Sequence, residues 1–435
     1  MKQIQTVTIV GSNGAMGSGV AGIAAAFGGA KIFMLARTME KAEESIVTAV
    51  KSVRADSIKA RMFAKTFDDL EDCVSRSDWV FETIVEDLEL KLAINRKIAK
   101  YCTGKTIIST GTSGLSIKKL SEAFPPELRK NYFGTHFYNP PYKMILCELI
   151  ASEYSDKELC LELKEYLKKT LLREVVVTED LPAFAGNRVG FQFMNEALLR
   201  AQIEMKRGGI DYIDSLLGSF TGRALPPLMT VDFVGLDIHK AIVNNVYENA
   251  SDFLKETFSM PRYVDELIKG KRLGMKSGEG LYKKTITAEG KKTFVYDISA
   301  DDYRLTKTYD FDFVKHMKDL LRAAEYKKAY DVLLNSPGYE ASIIKHFILR
   351  YVSYSLMMVG VVVEAKEDMD IVMMTGYNWA PPSVFVDLFG GKNKTIRLME
   401  EYDVRVPDVL SEYCGSGNFY TLQNRFDYRR YFRSR

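Results

Sequence analysis

Two stretches of this 435-residue chain carry residue types that could do chemistry together. One is "GTHFYNPP" (134–141), which holds His136, one of four histidines. An imidazole titrates near neutrality and can take up and return a proton in a reversible step. A lone histidine in a strand-rich stretch also reads as a packed ring, so His136 alone decides nothing. The other stretch is "TVTIVGSNGAMGSGVAGIAAAF" (6–27): an apolar run, a glycine turn, then an Ala-rich helical pattern. Gly11, Gly14 and Gly17 would let backbone pass close to a pyrophosphate, with the helix N-terminus favouring its negative charge. Their spacing, G-x-x-G-x-x-G, is one residue longer than the common dinucleotide fingerprint.

The elements that must position these groups follow from apolar periodicity. "TVTIV" (6–10), "KIFML" (31–35), "WVFETIV" (79–85), "TIIST" (106–110) and "EVVVTE" (174–179) read as buried strands. Helical patterns such as 40–53 and 156–169 stand between them. Strands alternating with helices imply an α/β, Rossmann-type domain over 1–180, with a parallel sheet covered on both faces. If NAD is bound, the second strand should end in an acid that accepts both ribose hydroxyls. It ends instead in Ala36, followed by Arg37 and Thr38. Arg37 and Thr38 suit a 2′-phosphate, while Arg37 equally suits a surface charge or stacking on adenine. The cofactor expectation is therefore NAD(P).

After "DLPAFAGNR" (180–188) long helical stretches take over. A hairpin is expected around Glu-Gly in 283–298. "PPLMTVDFVG" (226–235) and "PPSVFVDLFG" (381–390) share Pro-Pro, Val-Asp and Gly at the same internal positions, each after a long helical stretch. The economical reading is an all-α C-terminal region that is duplicated, 181–305 with the hairpin and 306–435.

Sixty basic against 57 acidic residues leave a net charge of +3, too little to indicate nucleic acid or a membrane surface. Five widely spaced cysteines without CxxC offer no zinc site and suit a reduced compartment. No metal is expected. No apolar run reaches the roughly 18 residues of a membrane span, and the chain opens directly on a strand pattern, so a cytoplasmic protein is expected. The basic end "RFDYRRYFRSR" (425–435) reads as a solvated tail.

At "GTHFYNPPYKMILCELI" (134–150) the chain resembles the L-3-hydroxyacyl-CoA dehydrogenase family, whose corresponding stretch reads HFFNP before a short strand ending in Glu. "VFETIVEDLELK" (80–91), "STGTSGLSI" (109–117), "LPAFAGNR" (181–188), "FVGLD" (233–237) and "GMKSGEGLYKK" (274–284) follow in the family's order. The likeness is closest to long bacterial members with two helical repeats, without their enoyl-CoA hydratase domain. It implies reversible oxidation of a 3-hydroxyacyl-CoA with NAD(P), as in fatty-acid beta-oxidation. His136 would be the general base and Glu148 the carboxylate orienting it. Ser113 would bond the substrate oxygen, and Asn187 would polarise the substrate near its thioester. Glu86, Lys91, Asn139 and Lys276, with Met16 in the glycine turn, would line the cofactor. A basic residue of a helical pair after the second strand would reach the CoA phosphates, and 51–65 offers Arg54, Lys59, Arg61 and Lys65. The acyl-CoA is the implied partner, with a homodimer or an enoyl-CoA hydratase as protein partners. Two other readings keep the sequence features: a dehydrogenase of a non-CoA 3-hydroxy acid, and a non-catalytic nucleotide-binding scaffold.

Overall fold

The computed structural model describes residues 4–287, 290–422 and 425–432. The chain falls into two compact units: residues 1–185 joined by 362–364 and 375–377, and the rest.

The first unit is built on eight strands. β1 (Thr6–Val10), β2 (Lys31–Ala36), β3 (Met62–Thr66), β4 (Trp79–Glu82), β5 (Ile107–Thr110), β6 (Tyr132–Phe137), β7 (Leu146–Ala151) and β8 (Glu174–Thr178) lie in the order β3-β2-β1-β4-β5-β6-β7-β8. Alternate side chains of each strand enter opposite cores. Val7 and Ile9 pack with Val20 and Ala24 of helix α1 (Ala15–Ala26), while Val10 joins Phe33, Leu35 and Val80 on the other face. That is why the strands read as continuous apolar runs.

The sheet is not wholly parallel, as the alternation had suggested. β1 to β6 run together, but β7 is antiparallel to β6 and β8 runs with β7. Only eight residues (138–145) join β6 to β7, too short for a crossover helix, so the chain must reverse. The fourth strand also ends earlier than its apolar run. The Glu82 carboxylate accepts from Ile84 N–H at 2.7 Å, turning the backbone out of the sheet.

The stretch 51–65 differs from the expected helical pair. After helix α2 (Met39–Val53), Arg54 stops the helix in a left-handed conformation, φ 56°. A short 3₁₀ segment, Asp56–Arg61, leads into β3. Arg61 donates to Gly29 C=O and Lys65 pairs with Asp69. Two of the four candidate CoA-binding cations are thus held by local partners.

The second unit is mainly helical. Its long helices are Gly186–Ile203 and Tyr339–Met357, and the two Pro-Pro segments open helices Pro227–Val234 and Pro382–Leu388 with proline at the first position. The two segments make matching contacts. Asp214 accepts from Leu228 and Met229 N–H, and Asp370 accepts from Ser383 N–H, so each places a carboxylate at the start of its Pro-Pro helix. Asp232 accepts from Leu281 and Tyr282 N–H, and Asp387 accepts from Phe419 and Tyr420 N–H. Burial pushes both Asp214 and Asp370 up to about 7.

β9 (Tyr282–Thr287) and β10 (Gly290–Asp297) pair antiparallel as the expected hairpin, with β11 (Asp302–Leu305) on the far edge. The turn residues 288 and 289 lie outside the described residues. The C-terminal end is not a solvated tail throughout. Tyr431 and Phe432 are buried, with the Phe432 ring 5.6 Å from Tyr330 and 5.8 Å from Phe385. Its aromatic residues supply apolar surface that outweighs its arginines; 433–435 lie outside the described residues. Among the described residues no helix is long and apolar enough to cross a membrane, and no group of three His, Cys, Asp or Glu is placed to hold a metal ion.

Candidate active site

The glycine turn joins β1 to α1. Gly11 has φ +90°, and a Cβ there would lie 3.0 Å from Thr83 O and Ile84 N. A Cβ on Gly17 would meet Gly11 O at 2.8 Å. These two positions need glycine. Gly14 does not on steric grounds, since its Cβ would meet only Gly11 O, at 3.9 Å. No side chain caps α1, and no acid stands in its first turn. Its leading N–H groups and positive dipole end therefore remain suited to an anion. Met16 packs part-buried against the core beneath.

Beside the turn a cleft of about 650 Å³ is lined by Gly11, Gly14, Arg37, Phe67, Ile94 and Lys97, among others. It presents two cations and no carboxylate. Ala36 is fully buried, and Thr38 caps α2 by accepting from Lys41 N–H. Arg37 is exposed and makes no ion pair among the described residues. A glycine cradle beside a cationic cleft fits the phosphates and adenosine of a dinucleotide.

The far wall of this region is tied to β4 and β5. Glu82, fully buried, accepts from Lys91 Nζ at 2.9 and 3.1 Å and from Thr110 Oγ1 at 2.7 Å. Nothing in the sequence reading picked out Glu82. An isolated buried carboxylate would be costly, and the equally buried Lys91 supplies its counter-charge. Glu86, part-exposed, accepts from Thr112 Oγ1 and from Ser113 N–H at 2.7 Å. Glu86 thus holds the loop that carries Ser113.

His136 and Glu148 meet because β6 and β7 are antiparallel. The two residues are direct cross-strand partners, so twelve residues of sequence become a neighbouring pair on one face. His136 Nδ1 lies 2.6 Å from Glu148 Oε2. Tyr138 donates to the same oxygen at 2.8 Å, and Ala185 N–H donates to Oε1 at 3.0 Å. With Nδ1 turned to the carboxylate, Nε2 is the nitrogen available for proton exchange.

Two flanking segments hold this pair. In the β6–β7 loop, Arg173 donates to Pro141 C=O at 2.8 Å, and Pro141 sits so close to α1 that a Cβ on Gly19 would fall 2.8 Å from its Cγ. Asn139 lies in this loop, exposed. On the other side Ala183 and Phe184 take left-handed φ values of 64° and 52°. Each costs about 1–2 kcal/mol for a residue with a Cβ. That turn aims Ala185 N–H at Glu148 and sets the Phe184 ring 5.7 Å from the His136 ring.

Two expected site residues belong to the helical unit. Asn187 is buried within the first turn of helix Gly186–Ile203, so it does not cap that helix. Lys276 is ion-paired with Asp237. The structure thus joins His136 with Glu148, and Ser113 with Glu86. It adds Glu82, Tyr138 and the 183–185 turn, none of which the sequence reading singled out.

Residues 6–181 match the family model "3-hydroxyacyl-CoA dehydrogenase, NAD binding domain", and 184–284 match "3-hydroxyacyl-CoA dehydrogenase, C-terminal domain". The chain is 28% identical over 367 residues to a probable 3-hydroxyacyl-CoA dehydrogenase of Bacillus subtilis, covering 82% of this chain and 44% of that protein. It is 30% identical over 294 residues to the mitochondrial hydroxyacyl-coenzyme A dehydrogenase of Rattus norvegicus, covering 64% of this chain and 91% of that one. The first curated relatives are thus spanned over only about half their length. In fold it is similar to the crystal structure of 3-hydroxybutyryl-CoA dehydrogenase from Escherichia coli K12. The TM-score is 0.70 at 21% identity, covering 94% of this chain and 98% of that one. Two family domains in sequence order, and a relative matched over nine-tenths of its length, place this chain in the 3-hydroxyacyl-CoA dehydrogenase family.

Proposed function

We propose that the protein reversibly oxidises an L-3-hydroxyacyl-CoA to the 3-oxoacyl-CoA with NAD(P), His136 acting as general base and Glu148 orienting it. The observation that carries this reading is the cross-strand pair, with Nδ1 held by Glu148 and Nε2 left for a substrate proton. A bound nicotinamide supplies the hydride acceptor, or the donor in reverse. His136 Nε2 takes the 3-hydroxyl proton during oxidation and returns it to the developing alkoxide during reduction. The buried carboxylate keeps the imidazolium electrostatically favourable and fixes the ring's tautomer. Ser113, on the loop anchored by Glu86, bonds the substrate oxygen, and Asn187 polarises the substrate near its thioester. In this reading Gly11, Gly14 and Gly17 take the pyrophosphate, and Arg37, which lines the cleft, and Thr38 beside it in sequence take the ribose end. Met16, Glu86, Lys91, Asn139 and Lys276 complete the cofactor surroundings in this reading.

A second reading, a 3-hydroxy acid without CoA, has one observation in its favour: a 3₁₀ segment stands where the basic helical pair was expected. One assay separates the two. Acetoacetyl-CoA and free acetoacetate are reduced side by side, each with NADH and NADPH. The CoA reading predicts turnover of the thioester at far lower concentration, and preference for the free acid would overturn it. Absence of turnover with every pair would leave the non-catalytic scaffold.

A further inference from the structure

Tyr138, two residues after His136, puts a phenol hydroxyl in the middle of the site. It is not idle. It donates to Glu148 Oε2 at 2.8 Å, the same oxygen that holds His136 Nδ1 at 2.6 Å, and its ring stands 4.6 Å from the imidazole. Glu148 is fully buried, so the way its charge is shared decides how strongly it holds the ring. Tyr138 is in turn braced by residues more than two hundred positions away. Tyr377 packs edge-on against it, ring centroids 5.8 Å apart at 66°. Gly376 passes so close that a Cβ would lie 3.3 Å from the Tyr138 ring and 2.5 Å from Leu146 Cδ2. Residues 375–377 belong to the same compact unit as the sheet, although their sequence lies within the second Pro-Pro segment's repeat.

We infer that Tyr138 is a positioning residue for the His136–Glu148 pair, and that Gly376 and Tyr377, from the C-terminal third of the chain, hold it in place. Its hydroxyl shares the charge of Oε2 with the imidazole and fixes that oxygen's direction. The imidazole bond to Glu148 is thereby weaker and better aligned than it would be alone. Ionisable groups at this carboxylate include His136 on β6, Tyr138 on the loop and, through its charge, Tyr377. Burial, and then the Glu148 charge, pushes the Tyr377 hydroxyl well above the usual phenol range, so Tyr377 stays neutral and acts by packing.

The inference rests on the proposed roles of His136 and Glu148, and its test has one readout that needs no substrate. In the full-length protein, the His136 Nδ1–H proton should give a low-field proton NMR signal, identified by its loss in His136→Gln. In Tyr138→Phe that signal should move further downfield, because the imidazole no longer shares Oε2 with the phenol hydroxyl. Kinetics give the second readout. Tyr138→Phe should lower kcat for acetoacetyl-CoA reduction about tenfold and displace the pH–rate profile, with KM and NADH binding unchanged within about twofold. Gly376→Ala, which leaves the hydroxyl in place but pushes on its ring, should reproduce part of both changes. An unmoved signal together with an unchanged pH profile would overturn the inference. So would a loss confined to folding or cofactor binding. A shifted signal in a protein that does not reduce acetoacetyl-CoA would uphold the positioning role and fail the proposed substrate instead.

Discussion

His136 and Glu148 face each other across β6 and β7, Nδ1 to Oε2 at 2.6 Å, on adjacent antiparallel strands. The carboxylate therefore serves the ring directly and without a flexible linker. Glu148→Gln keeps the shape and removes the charge, and its amide NH₂ group cannot accept from Nδ1–H. We expect kcat to fall by about 10²–10⁴-fold while NADH binding, followed by fluorescence, stays within about threefold. Loss of NADH binding in step with kcat would mean that Glu148 holds the fold of the cleft and not the base.

Cofactor choice turns on the end of β2. No acid follows this strand, and Arg37 borders the cleft with no ion pair among the described residues. If it grips a 2′-phosphate, the charge-assisted bond is worth about 1.5–3 kcal/mol. Arg37→Ala should then raise Kd and KM for NADPH tenfold or more and leave those for NADH unchanged. Equal losses with both cofactors would return the chain to NAD, the cofactor of the family domain it matches.

We expect the helices after residue 305 to cover apolar surface of the preceding helices as a partner subunit would. Within the helical unit, Arg188 and Tyr354 both bond Asp252, and Phe193 packs with Phe347, Tyr351 and Trp379. Ending the chain near residue 305 would strip these partners and expose buried aromatic surface. The truncated protein should be insoluble or self-associating by sedimentation. A soluble, monomeric and active product would contradict this role. Tyr377, from the same C-terminal stretch, packs against Tyr138, so truncation would also remove a neighbour of the His136–Glu148 pair.

Buried Asp370 gives a pH-dependent stability. Burial raises its carboxyl from the usual 3.8 to about 7, and Oδ2 has no partner among the described residues. Below about pH 4 both folded and unfolded states hold the proton, and no penalty arises. As pH rises towards 7 the unfolded state ionises first, so folding stability falls across that window. Asp370→Asn removes this slope. Relative to wild type, the variant should gain about 2.5 kcal/mol between pH 5 and pH 8, read from urea midpoints. Parallel profiles would show that Asp370 is already ionised in the folded protein.

Much of this was legible in the residues, and the exceptions have physical reasons. The glycine turn, the strand–helix alternation and the repeated Pro-Pro-Val-Asp-Gly segments declare themselves through local backbone demands. The pairing of His136 with Glu148 does not, because an i, i+12 spacing is informative only once the strands are known to be antiparallel. Apolar periodicity did not pick out β6 and β7 as strands, so the short connection that forces their reversal carried no message. β3 hid in a basic stretch because it is a part-exposed edge strand beside β2. Glu82 lies inside the apolar run 79–85, and no local pattern announces that Lys91 stands against it. Nothing local marks Tyr138 as a partner of Glu148, and its brace at 376–377 is too distant in sequence for any local pattern. The left-handed Ala183 and Phe184 carry no glycine to announce them.

The central claim is that His136 moves the substrate proton, and one comparison tests it most directly. Acetoacetyl-CoA reduction by NADH is measured for the full-length wild-type protein and for His136→Gln, with NADH binding measured on both. The account predicts steady turnover by the wild type, a fall of about 10²–10⁴-fold in the variant's kcat, and NADH binding preserved. A His136→Gln protein that turns over within tenfold of wild type would contradict it.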